Sequence, residues 1–188
     1  LEQAMELFRK HDVYVVSDEI WSDIILMGCK HIPPQSVSED ARQRVIAFYS
    51  PSKTFSLAGL IGSYHIVYND YLRQRLVRRS TMSHYNDCNV LSMQALIGAF
   101  GKDGVQWAGE MIQVINENID LACDFFAKYP GVSVMKPQGT YMLYLDCTQW
   151  CAQQDMDINE LQKRGVRCGV IWQNGEAFMW PDTIRMNL

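Results

Sequence analysis

The 188-residue chain is 48% apolar and 20% charged, which suits a packed globular core and excludes a disordered chain. A formal net charge of −4, with no basic run, argues against nucleic acid or an anionic membrane as partner. No apolar stretch approaches the roughly 18 residues needed to span a bilayer.

Leu1, Ala4, Met5 and Phe8 recur at helical spacing, so residues 1–11 are expected to form an amphipathic helix. "VYVV" (13–16) is a continuous apolar run and is expected to be a strand covered on both faces. "VIAFY" (45–49) and "GSYHIVY" (62–68) have the same character. Helices alternating with such strands predict an α/β fold with a parallel or mixed sheet.

Residues 71–81 read as a helix with a solvated basic face, and "NVLSMQALIGAF" (89–100) as a largely buried one. "GKDG" (101–104) is expected to break it before a long helix over about 105–128. The apolar stripe of that helix is Ile112, Ile115, Ile119, Ala122 and Phe126. Beyond "YPG", the strands "VSVM" and "TYMLYLD", a helix around "DINELQKRG", and the strands "VRCGVIW" and "TIRMNL" predict a compact α+β unit. The boundary is placed in the long helix, dividing the chain into 1–104 and 105–188. Leu1 lies inside a helical pattern and Leu188 inside a strand pattern, so the chain is expected to be a piece of a longer protein.

The cysteines at 29, 88, 123, 147, 151 and 168 have no framework or zinc spacing; free thiols in a reducing cytoplasm and no metal are expected.

Two strand ends concentrate reactive side chains. "VYVVSDEIW" delivers Asp18 and Glu19, and "VIAFYSPSK" delivers Ser50, Ser52 and Lys53. Lysine is rarely buried without a partner or a reaction, yet no acid lies within ten residues of Lys53 on either side. Ligands gather beyond the carboxyl ends of strands in open α/β sheets. If the two strands are parallel neighbours, Asp18 and Lys53 emerge at one edge. The simpler alternatives are a cap or turn for Asp18 and turn hydrogen bonds for the serines around Pro51.

"SDEIW", the lysine of "SPSKTFSLAGL" 35 residues after Asp18, "PQGTYMLYLD" and "TIRMNL" follow one another in order. Together they resemble the fold-type-I, class I/II aminotransferase superfamily of pyridoxal-phosphate (PLP) enzymes, in its C-terminal half. The resemblance implies the C-terminal part of a PLP-binding large domain over 1–104, then a linking helix and small α+β domain over 105–188. It implies that Lys53 bonds the cofactor and shuttles the Cα proton. Asp18 would pair with the pyridine nitrogen, and Ser50 and Ser52 would donate to the phosphate. Arg185 would hold the substrate α-carboxylate as a bidentate fork, where a strand-end surface arginine is the plain alternative. Gly139 would border the site.

Two positions depart from many aminotransferases of the group. Ile61 stands where an arginine eight residues after the lysine contacts the phosphate, and Trp21 stands where a tyrosine reaches the cofactor's phenolic oxygen. With "KHIPP" (30–34) and "GVIWQNGEAF" (169–178), the missing arginine resembles the MalY/PatB-type cystathionine β-lyases. The implied activity is carbon–sulfur β-elimination on an amino-acid substrate, with class I/II transamination or a non-catalytic regulatory role as alternatives. The resemblance also implies a cytoplasmic homodimer whose loop at His84, Tyr85 and Asn86 nears the neighbour's site. Further parts of the cofactor site would lie upstream, so this chain alone is expected to bind PLP weakly and not to turn over.

Overall fold

The computed structural model describes residues 1–84 and 87–188; Tyr85 and Asn86, two of the three residues assigned to a subunit-crossing loop, lie outside the described residues. Two compact units are present: Leu1–Ile25 with Lys30–Glu110, and Leu26–Cys29 with Met111–Leu188.

In the first unit, α1 (Glu2–Lys10) turns Met5 and Phe8 onto Ala41, Val45 and Ala47, forming a small core. Helix α2 (Glu39–Arg44) is started by Ser38, whose Oγ accepts the Ala41 N–H at 3.0 Å. It leads directly into β2 (Val45–Tyr49), the centre of a three-stranded sheet. On one side β1 (Val15–Asp18) pairs with β2 in parallel; on the other β3 (Tyr64–Ile66) pairs antiparallel. The buried Gln35 amide donates to the Val45 carbonyl at 3.0 Å and to the Ile66 carbonyl at 2.9 Å, tying β2 to β3.

The first strand differs from expectation. It begins two residues late and is not covered on both faces: Val16 is 70% exposed, and burial alternates along the strand. Val15 packs against the Met5–Ala47 core, and the alternate face that carries Val16 is not covered by the described residues.

Helices α3 (Asp70–Ser83) and α4 (Val90–Ala99) are each started by an asparagine, Asn69 and Asn89, whose side chain accepts the N–H three residues on. The expectation of a largely buried α4 is corrected: Val90, Leu91, Met93 and Ile97 are exposed, while Ser92 and Ala99 are buried. Apolar residues all round a helix set no preferred face, and the described residues cover only the Ser92–Ala99 side. Helix α5 (Lys102–Phe126) starts three residues early, taking "KDG" as its first turn.

The second unit packs the Ile115, Ile119, Ala122 and Phe126 stripe of α5 inward. Its sheet contains β4 (Ser133–Met135), β5 (Met142–Asp146), β6 (Gln173–Asn174) and β7 (Thr183–Asn187) in the order β4-β5-β7-β6, all antiparallel. Alternation sends Leu143, Leu145 and Ile184 to the core with Cys147, Cys151 and Ile158. Helix α6 (Thr148–Gln153) is not foreshadowed in the sequence, whereas α7 (Ile158–Arg167) is. The expected strand "VRCGVIW" does not form. Val166 and Arg167 extend α7, Gly169 turns the chain at φ +80°, and pairing is confined to Gln173–Asn174.

Burial, reinforced by Cys151 and Asp146, pushes the Cys147 thiol from 9.0 up to about 12. The folded state therefore keeps a proton that the unfolded chain releases, so stability falls as pH rises from about 9 to about 12. Equilibrium unfolding over that range should show a loss of up to about 1.4 kcal/mol per pH unit. Cys147→Ala should flatten the slope.

Candidate active site

Parallel pairing of β1 and β2 sets Asp18 opposite Phe48, so Ser50, Ser52 and Lys53 leave the sheet at the edge where Asp18 ends β1. Asp18 is exposed, and its Oδ1 accepts the Ile20 N–H at 3.1 Å, a turn that fixes its orientation. A cleft of about 310 Å³ at this edge is lined by Val16, Asp18, Ile20, Phe48, Ser50 and Ser63, among others. It brings Asp18 and Ser50 together; Lys53, Ser52 and Trp21 do not line it.

The loop after β2 is tightly held. Ser50 Oγ is 2.6 Å from the Gly62 carbonyl and 2.5 Å from Ser52 Oγ, and it accepts the Ser52 N–H at 3.1 Å. A carbonyl only accepts, so the one Ser50 proton goes to Gly62 and Ser52 donates to Ser50. Ser50 is thereby committed, while the Ser52 proton can swing to another acceptor. Thr54 is 1% exposed and donates to Asp23 Oδ2 at 3.0 Å, anchoring the residue after Lys53. Lys53 is half-buried, with Nζ 5.2 Å from the Trp21 ring centroid in a cation–π contact.

Ile61 takes a left-handed conformation, φ 49° and ψ 55°, with its side chain 86% exposed. A β-branched residue there is strained by about 1–2 kcal/mol.

The sequence reading missed what lies behind Asp18. Glu19 is buried, with Oε2 2.5 Å from His31 Nε2 and Oε1 accepting Ser17 Oγ at 2.6 Å. The alternation of Ser17 and Glu19 could have placed both on one face; nothing along the chain points to His31.

Arg185 belongs to the second unit. Met135, Tyr144, Arg185 and Gln173 form one row across all four strands, on the face opposite the Leu143–Ile184 core. The Arg185 guanidinium carbon lies 4.3 Å from the Phe178 ring centroid, and Nη2 donates to Gln173 Oε1. Its Nε is buried without a hydrogen-bond partner among the described residues, a state that costs about 1–3 kcal/mol. Beside it is a cleft of about 380 Å³ lined by Ser133, Met135, Tyr144, Asp146, Phe178 and Trp180. Gly139, two residues before Tyr141, lies in the loop that enters β5 and is partly buried.

The family model for aminotransferase class I and II matches residues 1–188. The chain belongs to that family. It is 34% identical over 175 residues to the cystathionine beta-lyase PatB of Bacillus subtilis, covering 92% of this chain and 44% of the relative. It is 24% identical over 182 residues to an asparagine–oxo-acid transaminase of Streptococcus mutans, covering 95% and 45%. Among solved structures, the PLP-bound C-S lyase of Staphylococcus hominis matches with a TM-score of 0.84 and 28% identity, covering all of this chain and 48% of that one. The chain thus spans about half the length of the relatives it matches. The fold is that of fold-type-I, aminotransferase-like PLP proteins, represented here by a mixed sheet with helices and a smaller antiparallel α+β unit. No helix among the described residues is long and apolar enough to cross a membrane.

For a class I/II aminotransferase-family chain, the residues present fit PLP in the first unit. One carboxylate and one amine leave neighbouring parallel strands, and beside them Ser52 has a proton free to be re-aimed. In the second unit, the Arg185 Nε is a buried donor without an acceptor among the described residues.

Proposed function

We propose that the full protein is a PLP-dependent carbon–sulfur β-lyase, which converts cystathionine or a related S-substituted cysteine to pyruvate, ammonia and a thiol. The observation that carries the reading is the parallel β1–β2 pair, which delivers Asp18 and the Lys53 loop to one sheet edge. The 34% identity to PatB favours lyase chemistry on that scaffold.

PLP, when bound, supplies an electron sink for charge developing at the substrate Cα. Asp18, a carboxylate held by the Ile20 N–H, keeps the proton on the ring nitrogen. Ser52 donates its hydroxyl to the phosphate, with Ser50 holding it in place against the Gly62 carbonyl. The Trp21 indole supports the Lys53 side chain. The Lys53 amine would take the proton from Cα, and the pair left at Cα would form the Cα=Cβ bond as the Cβ–S bond breaks. The thiolate would leave with that bond's pair and take up a proton, and one water would be consumed in releasing the remainder as pyruvate and ammonia. Arg185 grips the α-carboxylate through its planar fork. The protein is proposed to work as a homodimer on a small amino-acid substrate.

Transamination is the second reading, favoured by the resemblance to the Streptococcus mutans transaminase. It uses the same lysine, which would return the proton to a different carbon. Incubating the full-length protein with cystathionine, and separately with an amino acid plus a 2-oxo acid, separates the two. Pyruvate and thiol release without co-substrate is the expected result. Amino transfer without pyruvate release from cystathionine would overturn the lyase assignment. Cofactor loading with neither reaction would favour a regulatory protein.

Arg185→Lys, in the same assay, should raise KM about tenfold or more with a smaller change in kcat. An ammonium replaces the charge but not the two-point grip.

A further inference from the structure

Glu19 is only 5% exposed, yet it stands one residue beyond Asp18 at an open sheet edge. A glutamate that deep needs partners in place of water. It has His31 Nε2 at 2.5 Å on Oε2 and the Ser17 hydroxyl at 2.6 Å on Oε1. Its own N–H donates to the Phe48 carbonyl at 2.8 Å, adding a rung to the parallel β1–β2 ladder.

Strand alternation puts Ser17 and Glu19 on one face and Val16, Asp18 and Ile20 on the other. The latter three line the cleft; Glu19 and His31 do not. Glu19 is held by Ser17 on its own strand and His31 on the segment after β1, and the Tyr49 phenol on β2, which also lines the cleft, is near enough to feel its charge. Burial raises the Tyr49 phenol, and the Glu19 charge adds to the effect. Glu19 is placed to hold what comes next in the chain. The Ile20 N–H immediately after it is the donor that fixes Asp18 Oδ1 at 3.1 Å.

We propose that the Glu19–His31 pair is a positioning clamp for Asp18, anchoring the reverse face of the β1 end so that the Asp18 carboxylate is held at the cofactor's ring nitrogen. The proposal rests on the PLP reading of Asp18. Neither clamp residue lines the cleft. His31 lies twelve residues along from Glu19, so the clamp also pins the "KHIP" segment behind the strand end.

The test uses the full-length protein titrated with PLP, comparing wild type with Glu19→Gln, His31→Gln, the double variant and Asp18→Asn. Each clamp variant should raise the dissociation constant for PLP about tenfold, the lower end of the effect that loss of an outer-shell orienting partner has at metal sites. Each should also move the pH profile of the bound cofactor's visible absorbance in the direction that Asp18→Asn moves it. The double variant should bind no more weakly than the weaker single one, because either change releases the same clamp. Clamp variants with wild-type affinity and a wild-type pH profile would overturn the proposal, even if their thermal stability falls. His31→Gln decides alone if Glu19→Gln does not fold, since its side chain is the more accessible, 32% against 4% exposed. A wild-type protein that does not bind PLP, or an Asp18→Asn variant with an unchanged profile, would instead remove the underlying reading of Asp18.

Discussion

Replacing Lys53 by alanine in the full-length protein is expected to lower β-elimination at least about 10³-fold, within the range that a positioned acid–base group contributes. The loss should fall on kcat, because the proposed task of the amine is at the Cα proton rather than in initial binding of the substrate. Stability should change by no more than about 0.5 kcal/mol, as is usual for a side chain that is neither core nor network. Lys53 is half-buried and its recorded contact is a 5.2 Å cation–π approach to Trp21, so its removal leaves no buried charge unpaired. Steady-state kinetics with cystathionine and a denaturant titration of the same variant check both halves. A variant that keeps wild-type turnover would show that the loop after β2 is structural.

Asp18→Asn should produce the second-largest loss, about 10²-fold or more in kcat. The amide preserves shape and can still accept the Ile20 N–H through its oxygen, so the turn survives. What it removes is the negative charge proposed to hold a proton on the cofactor's ring nitrogen. Without that proton the ring withdraws electrons poorly and the step at Cα slows. Substrate KM should change little, which distinguishes this variant from Arg185→Lys. Wild-type kcat in Asp18→Asn would mean that the adjacency of the β1 and β2 ends has no catalytic consequence.

Legibility of the fold varied from element to element, for physical reasons. "VIAFY" reads as a strand and forms β2 at the same five residues, because it is central in its sheet and led into by a capped helix. "VYVV" has the same composition but begins at Val13 and Tyr14, which are exposed and precede pairing. Composition does not say where pairing begins along an apolar run. "VRCGVIW" misleads through its β-branched residues, since α7 absorbs its first two and Gly169 turns the rest away. The apolar residues of α4 do not identify the surface that covers the helix, and the described residues cover only its Ser92–Ala99 side.

The candidate site was legible where residues follow directly from strand ends, as Asp18, Ser50, Ser52 and Lys53 do. It was not legible where partners meet through loops. His31 on Glu19, Asp23 on Thr54 and Gln173 on Arg185 are separated by 12, 31 and 12 residues, and no periodicity connects such pairs. The hydroxyl geometry also sharpened the serines. The Ser50 proton goes to the Gly62 carbonyl and the Ser52 proton to Ser50, so of the two proposed phosphate donors Ser52 is the one whose proton can be re-aimed.

The central claim is that Lys53 carries the cofactor. Reductive trapping of PLP on the full-length protein, followed by proteolysis and mass-spectrometric mapping, tests it most directly. The account predicts one PLP-bearing peptide, the one that spans Ser50–Leu57, with the label on Lys53. A label on another lysine, or none after full loading with PLP, would contradict it.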